Sequence, residues 1–193
     1  MNTPNKLTIT RIIATPFFMA ALMIEFPFHY TVALILFIAA SLTDMIDGKM
    51  ARKYNMITDF GKFLDPLADK MLTTAAFLGF IKMGIGWQVT WIAFIVLFRE
   101  FLISSLRLVV VSSGGKVIAA NMWGKCKTVS QMAGIILALF AYVLISDFGI
   151  NNVVFVSVCN IIISILFWAS AVLCIISGAI YLKDSKEYID PSK

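Results

Sequence analysis

Residues suited to polar enzyme chemistry are scarce in this chain. It has one histidine, His29, and three cysteines among 193 residues. The cysteines show no metal-ligand spacing and lie mostly in apolar runs, which is typical of small buried hydrophobic residues. We expect His29 in a loop far from the acidic residues described below. Any acid–base chemistry at those residues therefore falls to a carboxylate.

Charged residues are also few, and long polar segments are missing. Only 14% of the residues are charged and 60% are hydrophobic, and the mean hydropathy is +0.91. This excess indicates a polytopic membrane protein, since a crossing helix needs about 20 apolar residues. We predict an all-α membrane protein, a single domain over 1–193, with a short N-terminal interfacial helix capped at Thr3-Pro4. The six predicted transmembrane helices are 8–26, 30–50, 62–83, 87–111, 126–147 and 152–182.

The basic residues predict the orientation of these helices. Most lysines and arginines fall on one side, whereas the loops Phe26–His29, Gly84–Gly86 and Asp147–Asn151 have only Lys82 nearby. Because basic loops stay in the cytoplasm, both termini are predicted to be cytoplasmic. The net charge of +5 then indicates a membrane surface and anionic ligands. Nucleic acid is a poor partner for a chain that has no basic soluble domain.

Four aspartates lie at helical spacing in one segment. Spacings of three and four residues return to nearly the same helix face. The eight residues between Arg52 and Gly61 are few enough to make the two helices antiparallel neighbours. Clustered carboxylates repel one another, and a hard divalent cation, Mg²⁺ or Mn²⁺, relieves that repulsion. The segment reads Asp44-x2-Asp47-Gly48-x2-Ala51-Arg52-x8-Gly61-x3-Asp65-x3-Asp69.

Other residues of this segment suit a diphosphate ligand. Gly48 and Gly61 either let helices pack closely or admit a bulky ligand against the backbone. Arg52 is either a positive-inside anchor or a phosphate ligand beside the metals. Asp59 is expected to cap the third helix. Pro66 is expected to kink that helix, so the shared face of its two aspartates is approximate.

A second polar group lies further along the chain. Glu100, Ser104 and Arg107 recur at helical spacing, and Lys125 and Lys127 open the fifth predicted helix. Arginine and lysine near a metal site suit an acceptor that carries its own phosphate. The alternative is that these cations are positive-inside anchors. Arg107, Lys125 and Lys127 are our candidates for the acceptor phosphate.

The aspartate segment resembles the signature of the CDP-alcohol phosphotransferase family, D-x2-D-G-x2-A-R-x8-G-x3-D-x3-D. All eight fixed positions are present at the right spacing. The resemblance implies six transmembrane helices, a homodimer and a cytoplasmic active site. It also implies transfer of the group linked to CMP from a CDP-alcohol to an acceptor alcohol. By position, it implies a two-metal centre of Mg²⁺ or Mn²⁺ at Asp44, Asp47, Asp65 and Asp69.

The resemblance also implies roles for single residues. Asp69 is implied to be the general base that deprotonates the acceptor hydroxyl. Whether the acceptor attacks directly or a covalent intermediate forms stays open. The residues implied to bind the CDP-diacylglycerol headgroup are Gly48, Ala51, Arg52, Thr58 and Gly61.

The wider sequence is similar to the bacterial branch of this family that forms phosphatidylglycerophosphate. That branch transfers the phosphatidyl group of CDP-diacylglycerol to sn-glycerol 3-phosphate and releases CMP, in the plasma membrane among its lipids. Asn5, Thr8 and Arg11 are implied to line the nucleotide or acceptor side. Serine, inositol phosphate and phosphatidylglycerol remain alternative acceptors. A divalent-cation transporter is the alternative outside the enzyme class, although its acidic residues belong near the bilayer midplane. The similar segments are Pro4–Thr8 with Arg11, Arg99–Phe101, Val117–Ala120 and Gly124–Thr128.

Overall fold

A computed structural model describes residues 2–53, 58–112, 122–150 and 152–186. Within these ranges the side chains at 49, 51–53, 59, 62–63 and 111–112 lie outside the description. The described part is helical and contains no β-strand, so the all-α prediction is confirmed. The helices are α1 Thr3–Met23, α2 His29–Lys53, α3 Asp59–Met83, α4 Val89–Ser112, α5 Met122–Tyr142 with a π-helical end Val143–Asp147, and α6 Val153–Asp184.

Four segments are long and apolar enough to cross a membrane, which confirms the prediction of a polytopic membrane protein. They are Thr3–Met23, His29–Gly48, Met122–Asp147 and Val153–Asp184. The predicted spans at 62–83 and 87–111 correspond to α3 and α4, which have 25 and 24 residues. These two helices carry charged residues, namely Asp65, Asp69, Glu100 and Arg107. That α3 and α4 cross the membrane stays a prediction.

The prediction of a separate N-terminal interfacial helix is wrong, because α1 is one continuous helix of 21 residues. Asn2, rather than Thr3, caps it by accepting a hydrogen bond of 3.1 Å from the backbone N–H of Asn5. Pro4 lies in the first turn, where a missing N–H costs nothing. No glycine or proline follows until Pro16, so the helix has no reason to stop.

The contacts between residues divide the described helices into two compact units. The single membrane domain over 1–193 stays a prediction. The first unit comprises Met1–Ile85 and Ile135–Asn160. In it α1 packs against α2 and α3. Phe18 of α1 is fully buried against Phe37 of α2, with ring centroids 5.5 Å apart. Phe77 and Phe80 of α3 are also fully buried.

One end of the first unit is fixed by contacts between the ends of its helices. The carboxylate of Asp147 accepts hydrogen bonds of 2.7 Å from the backbone N–H and the hydroxyl of Thr31. Lys82 donates to the carbonyl oxygen of Met23 at 2.9 Å. His29 lies at this end, with Nδ1 3.1 Å from the carbonyl oxygen of Ala21. It begins α2, about 22 Å along the helix axis from Asp44, so it is remote from the acidic residues.

The second unit comprises Gly86–Gly134 and Ile161–Lys193. Its core contains Ile163 and Phe167, both fully buried. The backbone N–H of Trp87 donates to the hydroxyl of Ser164 at 2.8 Å. Cys174 of this unit is buried as predicted. The prediction of burial is wrong for Cys126, which is exposed.

Gly134 of α5 is a position where the packing leaves no room for a side chain. An added Cβ would lie 2.7 and 2.8 Å from two carbons of the buried Phe167 ring. We expect Gly134→Ala to destabilise the protein by about 1–3 kcal/mol through overpacking. That loss outweighs the gain of about 1 kcal/mol in helix propensity. Thermal unfolding in detergent, followed by tryptophan fluorescence, measures the effect. Phe167→Leu in the same chain should recover part of the loss, and an unchanged unfolding temperature would contradict the overpacking argument.

Candidate active site

A row of polar side chains on α1 contacts the aspartate segment. The α1 polar stripe consists of Asn5, Thr8, Arg11 and Thr15, whose spacings of three and four residues place them on one helix face. Their exposed fractions are 6%, 1%, 2% and 4%. Buried polar groups in an apolar helix are costly unless they are paired. Their partners therefore identify what the stripe is for.

Arg11 joins the two aspartates of α2. One terminal nitrogen donates to Oδ1 of Asp44, and the other donates to Oδ2 of Asp47 at 2.5 Å. Asp44 and Asp47 thus share a helix face, as their spacing predicts. Asp47 is 5% exposed, whereas the side chain of Asp44 is 48% exposed. The buried carboxylate of Asp47 is consequently enclosed by protein. The carboxylate of Asp44 remains accessible to a ligand.

Thr8 connects α2 to α3. Its hydroxyl donates to Oδ1 of Asp65 at 2.9 Å and lies 3.4 Å from Oδ2 of Asp47. Carboxylates of both helices are therefore within reach of one hydroxyl group. The short connection between the helices predicts this approach. Asp65 is exposed, so an oxygen of this carboxylate also faces outward.

Asp69 follows Asp65 by one turn of α3. The helix continues through Pro66, and the side chains of both aspartates are exposed. The carbonyl oxygen of Asp69 accepts a hydrogen bond of 3.2 Å from the hydroxyl of Thr73. The carboxylate of Asp69 is thus presented on the exposed side of α3.

The acidic residues suit a hard cation in their chemistry. In the described ranges, no three carboxylate, imidazole or thiolate side chains are gathered closely enough to hold a metal ion. Arg11 provides a positive charge beside Asp44 and Asp47. Three carboxylates and one guanidinium sum to two negative charges. The group therefore stays attractive to a divalent cation with Arg11 in place, and its ligands are all oxygen, as Mg²⁺ and Mn²⁺ prefer.

Thr58 caps α3, so the assignment of the cap to Asp59 is wrong. The backbone at Thr58 is extended, and its hydroxyl accepts a hydrogen bond of 3.0 Å from the backbone N–H of Gly61. Asn5 of the α1 polar stripe also donates to this hydroxyl, at 3.0 Å. A Cβ at Gly61 would lie 2.9 Å from Oδ1 of Asn5. Gly61 therefore lets α1 approach the start of α3.

The other predicted nucleotide ligands lie near the end of α2. Gly48 directly follows Asp47 within the helix. Ala51 and Arg52 belong to the last turn of α2, but their side chains lie outside the described part. The contact between Arg52 and a phosphate stays a prediction.

The predicted acceptor residues lie in the second unit, and Lys127 is part of a charged cluster there. Lys127 is 6% exposed, and its amino group donates to Oε1 of Glu100 at 2.5 Å. Arg99 donates to the same oxygen at 3.1 Å and to the hydroxyl of Ser177 at 3.1 Å. We call Arg99, Glu100 and Lys127 the Glu100 cluster. Its two cations and one carboxylate leave one positive charge in excess.

The other two acceptor candidates are more open. Arg107 is exposed, and its guanidinium carbon lies 5.8 Å from the ring centroid of Tyr181. This is the geometry of a cation–π contact. Lys125 is exposed near the start of α5. Both side chains are therefore available to a soluble anion, whereas Lys127 already has a carboxylate partner.

Comparison with known proteins decides the family. Residues 1–176 match the family described as CDP-alcohol phosphatidyltransferase. This chain belongs to that family. Enzymes of the family generally depend on a divalent metal, which agrees with the oxygen-rich acidic group.

Relatives within the CDP-alcohol phosphatidyltransferase family match almost the whole chain. A protein of Bacillus subtilis (strain 168) is 36% identical over 203 aligned positions, covering 99% of this chain and 98% of its own. One from Rickettsia bellii (strain RML369-C) is 38% identical, covering 97% of each chain. One from Haemophilus influenzae (strain ATCC 51907 / DSM 11121 / KW20 / Rd) is 35% identical, covering 96% of this chain and 94% of its own. All three are named CDP-diacylglycerol–glycerol-3-phosphate 3-phosphatidyltransferase.

Proposed function

We propose that this chain transfers the phosphatidyl group of CDP-diacylglycerol to sn-glycerol 3-phosphate and releases CMP. The observation that carries the proposal is the near-complete overlap with relatives of that name at 35–38% identity. The site supports it independently. Asp44, Asp47 and Asp65 are collected on the buried α1 polar stripe, which is an arrangement for binding a charged headgroup at a membrane helix bundle.

The proposed metal centre uses the four aspartates. Asp44, Asp47, Asp65 and Asp69 would hold two divalent ions, Mg²⁺ or Mn²⁺. When bound, such ions neutralise the charge of the diphosphate and of the departing CMP. The outward exposure of Asp44, Asp65 and Asp69 supports this role, since a ligand has access to their oxygens.

The residues of this chain then carry out the transfer. Gly48, Ala51, Arg52, Thr58 and Gly61 bind the cytidine diphosphate part. Asp69 takes the proton of the acceptor hydroxyl, whose oxygen attacks the β-phosphorus. The bond from this phosphorus to the bridging oxygen breaks, and CMP leaves with the electron pair. The diacylglycerol chains stay among the membrane lipids. A base at Asp69 is needed because a free hydroxyl is a weak nucleophile at neutral pH.

The acceptor phosphate is proposed to bind Arg107, Lys125 and Lys127. The exposed Arg107 and Lys125 meet the anion first. The positive excess of the Glu100 cluster then favours a bound phosphate over a neutral group. The α1 residues act differently, because each donates a hydrogen bond to a site residue and acts on the ligands through it. They are Asn5, Thr8 and Arg11.

The proposed setting is the bacterial plasma membrane, with both termini and the active site in the cytoplasm. The distribution of basic residues supports this orientation. We propose a homodimer, as the family resemblance implies. A row of exposed apolar side chains along α4 supports it, because its spacing alternates between four and three residues, as in helix pairs. The row is Trp91, Phe94, Phe98, Phe101 and, seven residues further along, Leu108.

The test is CMP release by the purified chain with CDP-diacylglycerol and Mg²⁺. Glycerol 3-phosphate is compared with glycerol, serine, inositol phosphate and phosphatidylglycerol. We expect release that depends on glycerol 3-phosphate and stops when EDTA is added. Release with another acceptor would keep the family and overturn the acceptor assignment. Mn²⁺ transport into liposomes without any CMP release would favour a cation transporter instead.

A further inference from the structure

Arg11 is a cation in the middle of a membrane helix and is 2% exposed. A charge in such a position is costly and usually serves a function. Its two terminal nitrogens are committed to Asp44 and Asp47, while its Nε has no hydrogen-bond partner within the described ranges. The two aspartates therefore set the position of this guanidinium. An exposed ligand has little direct access to it.

The surrounding charges explain why a cation belongs there. Asp47 is the most buried acidic residue in the described part of the chain. Arg11 links it to Asp44, and Thr8 links it to Asp65. Without a positive charge, the buried carboxylate of Asp47 would be repelled by its neighbours Asp44 and Asp65. Among the described residues, Arg11 is the cation that pairs with both Asp44 and Asp47.

We propose that Arg11 is a positioning residue for the metal centre. In the metal-free protein it carries the positive charge that keeps Asp44 and Asp47 close together. It does this without cancelling the negative charge of the group, so divalent ions still bind and take over most of the compensation. This inference rests on the metal site of the proposed function.

The loss of stability caused by removing the Arg11 guanidinium should therefore depend on whether metal is bound. Loss of the guanidinium leaves the carboxylates uncompensated in the metal-free protein, whereas bound divalent ions supply a replacement charge. We expect Arg11→Gln to lower the unfolding temperature by about 10 °C in EDTA. In saturating Mn²⁺ the decrease should be less than half as large. A buried ion pair that serves only to hold the helices together predicts equal decreases in both conditions.

The experiment measures unfolding temperatures of the purified full chain in detergent, in EDTA and in Mn²⁺, without substrate. Binding of Mn²⁺ is followed separately by electron paramagnetic resonance. Arg11→Lys keeps the charge and should retain most of the stability in EDTA. Thr15→Val is the matched control, because Thr15 belongs to the same stripe but donates to the carbonyl oxygen of Arg11. Its effect should be the same with and without Mn²⁺.

A second variant keeps the inference testable if Arg11→Gln is unstable in EDTA. Adding Asp44→Asn removes one repelling carboxylate, so the double variant should regain stability in EDTA and lose response to Mn²⁺. No recovery would count against the inference. Equal decreases for Arg11→Gln in EDTA and Mn²⁺ would overturn it. If the wild-type chain neither binds Mn²⁺ nor responds to it, the metal-dependent function itself fails. Bound Mn²⁺ with a metal-independent Arg11 effect refutes only the role of Arg11.

Discussion

Asp69→Asn is expected to lower the rate of CMP release by about a thousandfold at saturating substrates. Asparagine keeps the shape and one oxygen of the side chain, but its amide cannot take the proton of the acceptor hydroxyl. Asp69 is exposed and lies one turn from Asp65, so the substitution changes no buried side chain. Steady-state CMP release with glycerol 3-phosphate measures the effect.

Raising the concentration of Mg²⁺ separates the two roles proposed for Asp69. A residue that only binds metal would regain activity as the metal saturates, whereas a missing base would not. Glu25→Gln is the matched control, since Glu25 is an exposed carboxylate in the loop between α1 and α2. It should leave the rate unchanged. Wild-type rates for Asp69→Asn would remove Asp69 from the chemistry and leave the family assignment standing.

The sequence predicts well whatever depends on helix periodicity. The shared face of Asp44 and Asp47 follows from residue spacing, because a helix has a fixed rise and rotation per residue. The distance between His29 and the aspartates follows from the same geometry. These features need no knowledge of how one helix is turned against another.

Contacts between helices are less predictable, since they depend on how the helices rotate and shift. Arg11 stays a predicted ligand-lining residue, but its pairing with Asp44 and Asp47 is not predicted. The spacing of Asn5, Thr8 and Arg11 on one face of an apolar helix is the signal that points to a buried polar stripe. It does not identify the partners on α2 and α3.

Local competition explains the remaining differences. Thr58 and Asp59 are both good caps, and the choice depends on which residue takes the extended backbone conformation. Lys127 stays a predicted phosphate ligand, but its hydrogen bond to Glu100, 27 positions away in sequence, is not predicted. Spacing on α4 or α5 alone cannot show a contact between them.

Lys127→Gln is expected to raise the KM for glycerol 3-phosphate by about 10- to 100-fold, as for loss of a charged hydrogen bond. Lys127 must exchange or share its bond to Glu100 when the phosphate binds. Glu100→Gln should raise the same KM by about tenfold, because Lys127 then loses the partner that fixes its position. The KM for CDP-diacylglycerol should change little in either variant.

The double variant decides whether Glu100 acts through Lys127. If it does, Glu100→Gln adds almost nothing once Lys127 is glutamine, so the double variant resembles Lys127→Gln alone. Effects that multiply would show that the two residues act separately. Lys82→Gln is the matched lysine control, because its amino group donates to the carbonyl oxygen of Met23 in the first unit. A KM that rises equally in this control would mean that the change reports general damage rather than loss of a phosphate ligand.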